Sequence, residues 1–194
     1  MNDNPIDVPP LVAKAQEIAD RGQWRLSSEP RTGALLRTLA ASKPGARILE
    51  VGSGVGVGSG WLLAGMDETA RLTTLEIHQK CAGLCRDLLA PDHRAEVITA
   101  DATEWLEHYD GSPFDLVFVD TTTAKFDRRD LLFAHMADGA LLVADDLLPG
   151  PTWTADHPPR VERFRQEIIT EPNLVTTLMD WASGLVIATF RKTA

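Results

Sequence analysis

The residues best placed to do chemistry sit in one stretch, Arg47-Ile-Leu-Glu-Val-Gly-Ser-Gly-Val-Gly-Val-Gly-Ser59. It starts as a short apolar run, passes the acid Glu50, turns on Gly52, Gly54 and Gly56, and leads into the apolar Trp61-Leu-Leu-Ala64. A strand that ends in an acid and a side-chain-free turn, then opens a helix, makes a ligand site. Glycines let backbone N–H groups approach an anion closely, and the helix N-terminus adds a favourable dipole. Spacing narrows the ligand. A dinucleotide fingerprint needs G-x-G-x-x-G/A, and its third position falls here on Val57, Ser59 or Trp61, according to which glycine pair starts the count. No G-x-x-x-x-G-K-S/T run exists, which excludes a P-loop.

Further acids fall where short apolar runs end: Glu76, Asp101, Asp120, and the pair Asp145-Asp146. One acid at a strand end is common, but a complete set delivered to one sheet edge points to a site. Acids also cap the helices that follow them, so Glu76 and Asp101 have a purely structural reading beside the ligand one. Asp120, Asp145 and Asp146 meet at one point if their strands are neighbours. Clustered carboxylates repel unless something positive lies between them, and hard oxygen donors suit Mg²⁺, Mn²⁺ or Ca²⁺. A turn or cap at Asp145-Asp146, and a contact from Asp120 to an amine of a bound ligand, are the readings without metal.

The elements that must position these groups alternate regularly. Strand-type runs occur at 47–51, 72–75, 95–99, 114–119 and 140–144, with helical patterns at 59–64, 79–89, 103–108 and 127–136 between them. Such alternation predicts a parallel sheet covered on both faces. Helices are expected over 11–20 and 30–41, the second presenting Leu35, Leu36 and Leu39 on one face, and over about 160–170 after a Pro-rich loop at 149–159. Two closing runs, 174–180 and 185–190, flank Trp181-Ala-Ser-Gly184 and predict a hairpin. The fold class is therefore α/β: a Rossmann-like three-layer sandwich with a seven-stranded, mostly parallel sheet and an antiparallel C-terminal hairpin strand. In such sheets ligands sit beyond the carboxyl ends of the strands, where strand order reverses.

The 194 residues are read as one domain over 1–194, with 1–10 a loose tail and 11–45 the N-terminal helices. A net charge of −9 argues against a nucleic-acid partner, since phosphate neutralisation needs clustered Lys and Arg. Cys81 and Cys85 read as packing residues. With no basic-apolar leader and no apolar run of membrane-spanning length, no membrane partner and a cytoplasmic setting are expected.

Glu50-x-Gly52-x-Gly54-x-Gly56 resembles the first motif of the class I S-adenosylmethionine-dependent methyltransferases. Over about Glu29 to Lys192 the chain is similar to the catechol-type branch of the O-methyltransferases. That likeness is carried by Phe114-Asp-Leu-Val-Phe-Val-Asp120, Leu141-Leu-Val-Ala-Asp-Asp146, Glu29-Pro-Arg-Thr-Gly33 and the closing hairpin. The resemblance implies S-adenosylmethionine held by Glu50, Gly52, Ser53, Gly54 and Gly56. It puts Glu76 on the ribose hydroxyls, Ile77 against the adenine, Asp101 with Ala102 at the adenine amine, and Asp120 near the methionyl amine. It further implies Asp120 and Asp145 as ligands of a divalent cation (Mg, Mn or Ca), Asp146 in the third ligand position, a small aromatic hydroxyl compound as methyl acceptor, and a homodimer.

Two departures stand out. The family carries Asn where this chain has Asp146, and a basic Lys where it has Thr123. Lys125, two residues on, is the candidate replacement, against the reading of a solvated loop lysine. Trp24, Trp153 and Trp181 are candidate pocket walls or plain packing, and His157 reads as plain loop, with contact to substrate the alternative. A metal-independent methyltransferase acting on N, C or another O, and a non-catalytic cofactor-binding protein, are the competing functions.

Overall fold

A computed structural model describes residues 4–192 except Ile6 and Thr152. Of the expected tail, residues 1–3 and Ile6 lie outside the described residues; Asp7 pairs with Arg37 at 3.0 Å. Helix α1 (Pro10–Gly22) begins on a proline, whose missing N–H costs nothing at a first helical turn, and buries Val12, Ala15 and Ala19. Helix α2 (Pro30–Ala41) starts the same way. Its buried stripe is Thr32, Gly33, Leu36 and Ala40, with Leu39 half-buried against the same core and Leu35 flanking it. The reason is close approach. A Cβ on Gly33 would lie 2.2 Å from the Trp61 ring, and one on Gly65 would lie 2.0 Å from the Arg37 carbonyl oxygen.

The sheet comprises β1 (Arg47–Val51), β2 (Arg71–Glu76), β3 (Ala95–Thr99), β4 (Phe114–Val119), β5 (Met136–Ala144), β6 (Leu174–Met179) and β7 (Leu185–Phe190). Their order is β3-β2-β1-β4-β5-β7-β6. All pairs from β3 to β5 are parallel, and β7 runs antiparallel to both β5 and β6, giving the expected six strands one way and one the other. Helices α3 (Val57–Gly65) and α4 (Gln79–Leu89) join α2 on one face; α5 (Ala102–His108), α6 (Arg129–Ala134) and α7 (His157–Ile168) cover the other. Strand alternation sends Leu49, Val51, Val117 and Val119 to the α5–α7 side, and Ile48, Leu116 and Phe118 to the α2–α4 side. No helix among the described residues is long and apolar enough to cross a membrane.

Three boundaries differ from expectation. β5 begins at Met136, because Met136 pairs with Phe114 ahead of the register shift that precedes Leu116. The expected helix over 127–136 is consequently split into a π-helical turn, Thr123–Asp127, and the short α6. α7 begins at His157, its two prolines falling in the first turn. The order reverses beside β1 and β4, so the site is expected beyond Val51 and Val119.

Candidate active site

The turn after β1 is shaped by left-handed backbone. Gly52, Gly54 and Gly56 have φ of 99°, 52° and 98°. At Gly52 space demands glycine as well, since a Cβ would sit 2.8 Å from the Thr121 methyl and 3.0 Å from the Asp120 carbonyl oxygen. The Gly52 and Ser53 N–H groups both donate to the Leu75 carbonyl, at 2.9 and 3.2 Å, tying the turn to the end of β2. There Glu76, almost fully buried, accepts from the Gly54 N–H at 2.8 Å through Oε2 and from the His78 N–H at 2.8 Å through Oε1. Two backbone amides thus fix its carboxylate at the glycine turn.

A cleft of about 170 Å³ opens here, lined by Gly52, Glu76, Ile77, Asp101, Ala102 and the threonines 121–123. Ile77 is 59% exposed, an apolar side chain offered on the rim rather than packed. Asp101 caps α5: its Oδ1 accepts from the Thr103 N–H (2.8 Å), the Thr103 hydroxyl (2.5 Å) and the Glu104 N–H (3.2 Å). Those bonds, the Thr103 hydroxyl foremost, hold its carboxyl below the usual range. The structural reading of Asp101 is therefore realised, and the residue also borders the cleft. A larger groove of about 410 Å³, lined by Leu11, Lys14, Glu68 and Arg94 among others, lies where β2 and β3 begin, at the opposite edge of the sheet.

Glu50 points to the α3 side and is fully buried. Its Oε2 accepts from the Ser59 hydroxyl and, at 2.6 Å, from the Thr74 hydroxyl, while Oε1 has no partner. Burial pushes its pKa up to about 7, with the two hydroxyls pulling the other way. Ser53 is buried in the same turn, and Cys85 packs against Gly56, its thiol pushed up to about 12 by burial. Cys81 and Cys85 are free, buried and far from any metal-ligand spacing, as packing residues should be.

The second half of the site lies beyond β4 and β5. Asp120 is pushed up to about 8, by burial first and then by Asp145, while Lys125 draws it back. Asp145 is pushed up to about 6 by burial, against hydrogen bonds from the Ser183 hydroxyl and the Asp146 N–H. Ser183 arrives from the closing hairpin, whose loop also accepts the Leu147 and Leu148 N–H groups. Asp146 adopts φ 65°, a left-handed conformation that Asp and Asn tolerate better than other side chains.

Lys125 is only 2% exposed, so it is not a solvated loop lysine. The π-helical turn, closed by the Arg128 N–H donating to the Thr123 carbonyl at 3.0 Å, turns Ala124, Lys125 and Phe126 inward. Single π turns of this kind often mark functional sites. The Lys125 ammonium donates to the Asp145 carbonyl at 2.5 Å and lies 4.9 Å from the Phe126 ring centroid. Burial lowers its pKa, while Asp120, Asp146 and Asp145, in that order, raise it.

These contacts lend no support to the expected metal set. Among the described residues no three His, Cys, Asp or Glu side chains are grouped to hold an ion. Asp145 spends one carboxylate oxygen on Ser183 and Asp146, and a lysine ammonium sits in the field of all three aspartates. Asp120, Asp145 and Asp146 thus gather as an acidic site beyond β4 and β5.

His157 does not lie in a loop as expected from the sequence. It is 8% exposed, opens α7, meets Phe126 edge-on at 5.4 Å and lies 4.5 Å from the Trp153 ring; its Nε2 and the Trp153 Nε1 are buried without partners. Pro158-Pro159 was the available signal, since prolines favour a first helical turn. Trp24 roofs the glycine turn, its Nε1 donating to the Leu26 carbonyl at 2.7 Å. Trp181 is a packing residue, donating to the Arg31 carbonyl at 3.1 Å beneath the Arg31 guanidinium.

Residues 49–147, from β1 to just past β5, match the family described as a methyltransferase domain, and the chain belongs to that family. It is 38% identical over 138 residues to a probable O-methyltransferase of Mycobacterium tuberculosis, covering 69% of this chain and 58% of the relative. With a putative O-methyltransferase of Mycolicibacterium smegmatis it shares 38% identity over 116 residues, 57% of this chain and 54% of the relative. The chain thus spans little more than half the length of these curated relatives. Among solved structures, cofactor-bound Rv0187 from MTB superposes with a TM-score of 0.85 at 26% identity, over 97% of this chain and 93% of that one. The O-methyltransferase from Bacillus cereus in complex with SAH gives 0.83 at 22% identity, over 96% and 93%, a likeness of fold.

Proposed function

We propose that the chain is an S-adenosylmethionine-dependent O-methyltransferase acting on a small hydroxyl compound, aromatic in the simplest case. The single observation that carries this reading is the Gly54 N–H seated on the Glu76 carboxylate at 2.8 Å, beside an open cleft at the point where strand order reverses. The cofactor-bound and SAH-bound neighbours support it. Glu50, Gly52, Ser53, Gly54 and Gly56 would hold the amino-acid end of the cofactor, Glu76 its ribose, and Ile77, Asp101 and Ala102 its adenine. When bound, the cofactor supplies a sulfonium methyl, whose C–S bond breaks with its electron pair left on sulfur as the acceptor oxygen bonds the carbon. Asp120 takes the proton from the acceptor hydroxyl; a buried carboxylate raised to about 8 suits a base near neutral pH. Lys125 stands beside it as the second catalytic residue. No divalent cation enters this reading, because a lysine ammonium already acts on the aspartates that would hold one.

Incubation with methyl-labelled S-adenosylmethionine and a panel of phenols and amines tests the reading. Label transferred to oxygen, and lost in Asp120→Asn, is the expected result. Transfer to amines alone, or tight cofactor binding without turnover, would overturn it in favour of the competing functions.

A further inference from the structure

A lysine carried to 2% exposure beside the backbone of Asp145 needs a reason, because a buried ammonium is costly unless it is compensated. Part of the compensation is visible. The Asp145 carbonyl accepts one of its three N–H bonds and the Phe126 ring faces it at 4.9 Å; burial lowers its pKa, and Asp120, Asp146 and Asp145 act against that. A divalent ion would need the same carboxylates and would stand against the ammonium, like charge against like charge, in a poorly solvated space. Nothing in the local sequence forces the lysine inward; the widened π turn at Thr123–Asp127 does so. Among the described residues the ammonium bonds the Asp145 carbonyl alone, which leaves two of its three donors for an acceptor oxygen.

We propose that the Lys125 ammonium is the resident cation of the acceptor site, taking the electrostatic place of a divalent metal, so that this chain holds and polarises its acceptor oxygen without one. The idea rests on the methyl-transfer reading for its purpose, but its chemistry can be tested apart from it. In this role Lys125 donates hydrogen bonds to the acceptor oxygen, and the hydroxyl proton goes to Asp120 as before.

The test is Mn²⁺ titration, followed by electron paramagnetic resonance and calorimetry, of the wild type, Lys125→Ala and Lys125→Met, each saturated with SAH. The wild type is expected to leave Mn²⁺ free. Lys125→Ala, with the charge gone and space opened, should bind Mn²⁺ about tenfold tighter or more, and adding Asp120→Asn should abolish that gain. Lys125→Met keeps the length and packing of the side chain, so it covers the case in which the alanine variant does not fold, and it too should bind more Mn²⁺ than the wild type. Chelator should leave wild-type methyl transfer unchanged. Stoichiometric Mn²⁺ binding by the wild type, chelator-sensitive turnover, or folded Lys125 variants no better at binding Mn²⁺ would each overturn the proposal. SAH binding read in the same calorimeter separates the two claims: if SAH does not bind, the methyltransferase reading falls, while the metal titrations still decide the role of Lys125.

Discussion

Replacing Glu50 by Gln should change how stability depends on pH, by an amount that follows from burial. Glu50 is fully buried, and its folded pKa lies near 7 against an ordinary 4.5. The folded protein therefore binds this proton more tightly than the unfolded chain does. The stability it lends is complete below about pH 4.5 and is lost as pH rises through about 7. Two and a half pKa units correspond to roughly 3 kcal/mol at 1.36 kcal/mol per unit. Glutamine keeps the shape and carries no such proton. Asp120 and Asp145, also raised by burial, pull the stability of both proteins the same way; removing the Glu50 charge eases Asp120 downward as well, as the last and smallest of its causes. Urea unfolding of wild type and Glu50→Gln at about pH 4.5 and pH 8 reads the effect directly. The variant should gain on the wild type by roughly 3 kcal/mol between the two conditions. A gap between the two proteins that is the same at both pH values would refute the burial argument.

Further outcomes follow from single contacts. Gly33→Ala drives a methyl to within 2.2 Å of the buried Trp61 ring and should cost about 1–3 kcal/mol; an unchanged melting temperature would show that α2 and α3 are not packed as described. Asp101→Asn retains an oxygen for the α5 cap, so stability should hold within about 0.5 kcal/mol while SAH affinity falls; unchanged affinity would leave Asp101 a cap alone. His157→Phe keeps a ring against Phe126 and Trp153 and removes Nε2. It should raise KM for the acceptor about tenfold with SAH affinity intact, and an unchanged KM would remove His157 from the acceptor pocket.

What the sequence made legible was whatever local pattern decides. β1, β3, β4 and β7 begin and end where their apolar runs do, and Gly52, Gly54 and Gly56 take the left-handed backbone that only their lack of a side chain makes cheap. The acids at strand ends converge because sheet topology carries them there. What stayed hidden depends on distant partners. The start of β5 is set by Met136 pairing with Phe114, and the burial of α2 by glycines meeting Trp61 and Arg37. Above all, the direction of Lys125 is set by a bond from Arg128 to Thr123 that residue types do not announce. The family resemblance placed Thr123 at the basic position, and it could not show which way Lys125 turns. The π turn carries the Lys125 ammonium inward onto the Asp145 carbonyl.

The central claim is that the glycine turn and Glu76 hold the methyl donor, and a crystal structure grown with SAH tests it most directly. The account predicts density along Gly52, Ser53 and Gly54, with the sugar hydroxyls on the Glu76 carboxylate and the base against Ile77. Density in the groove lined by Lys14 and Arg94 instead, or a cleft left empty at millimolar SAH, would contradict it.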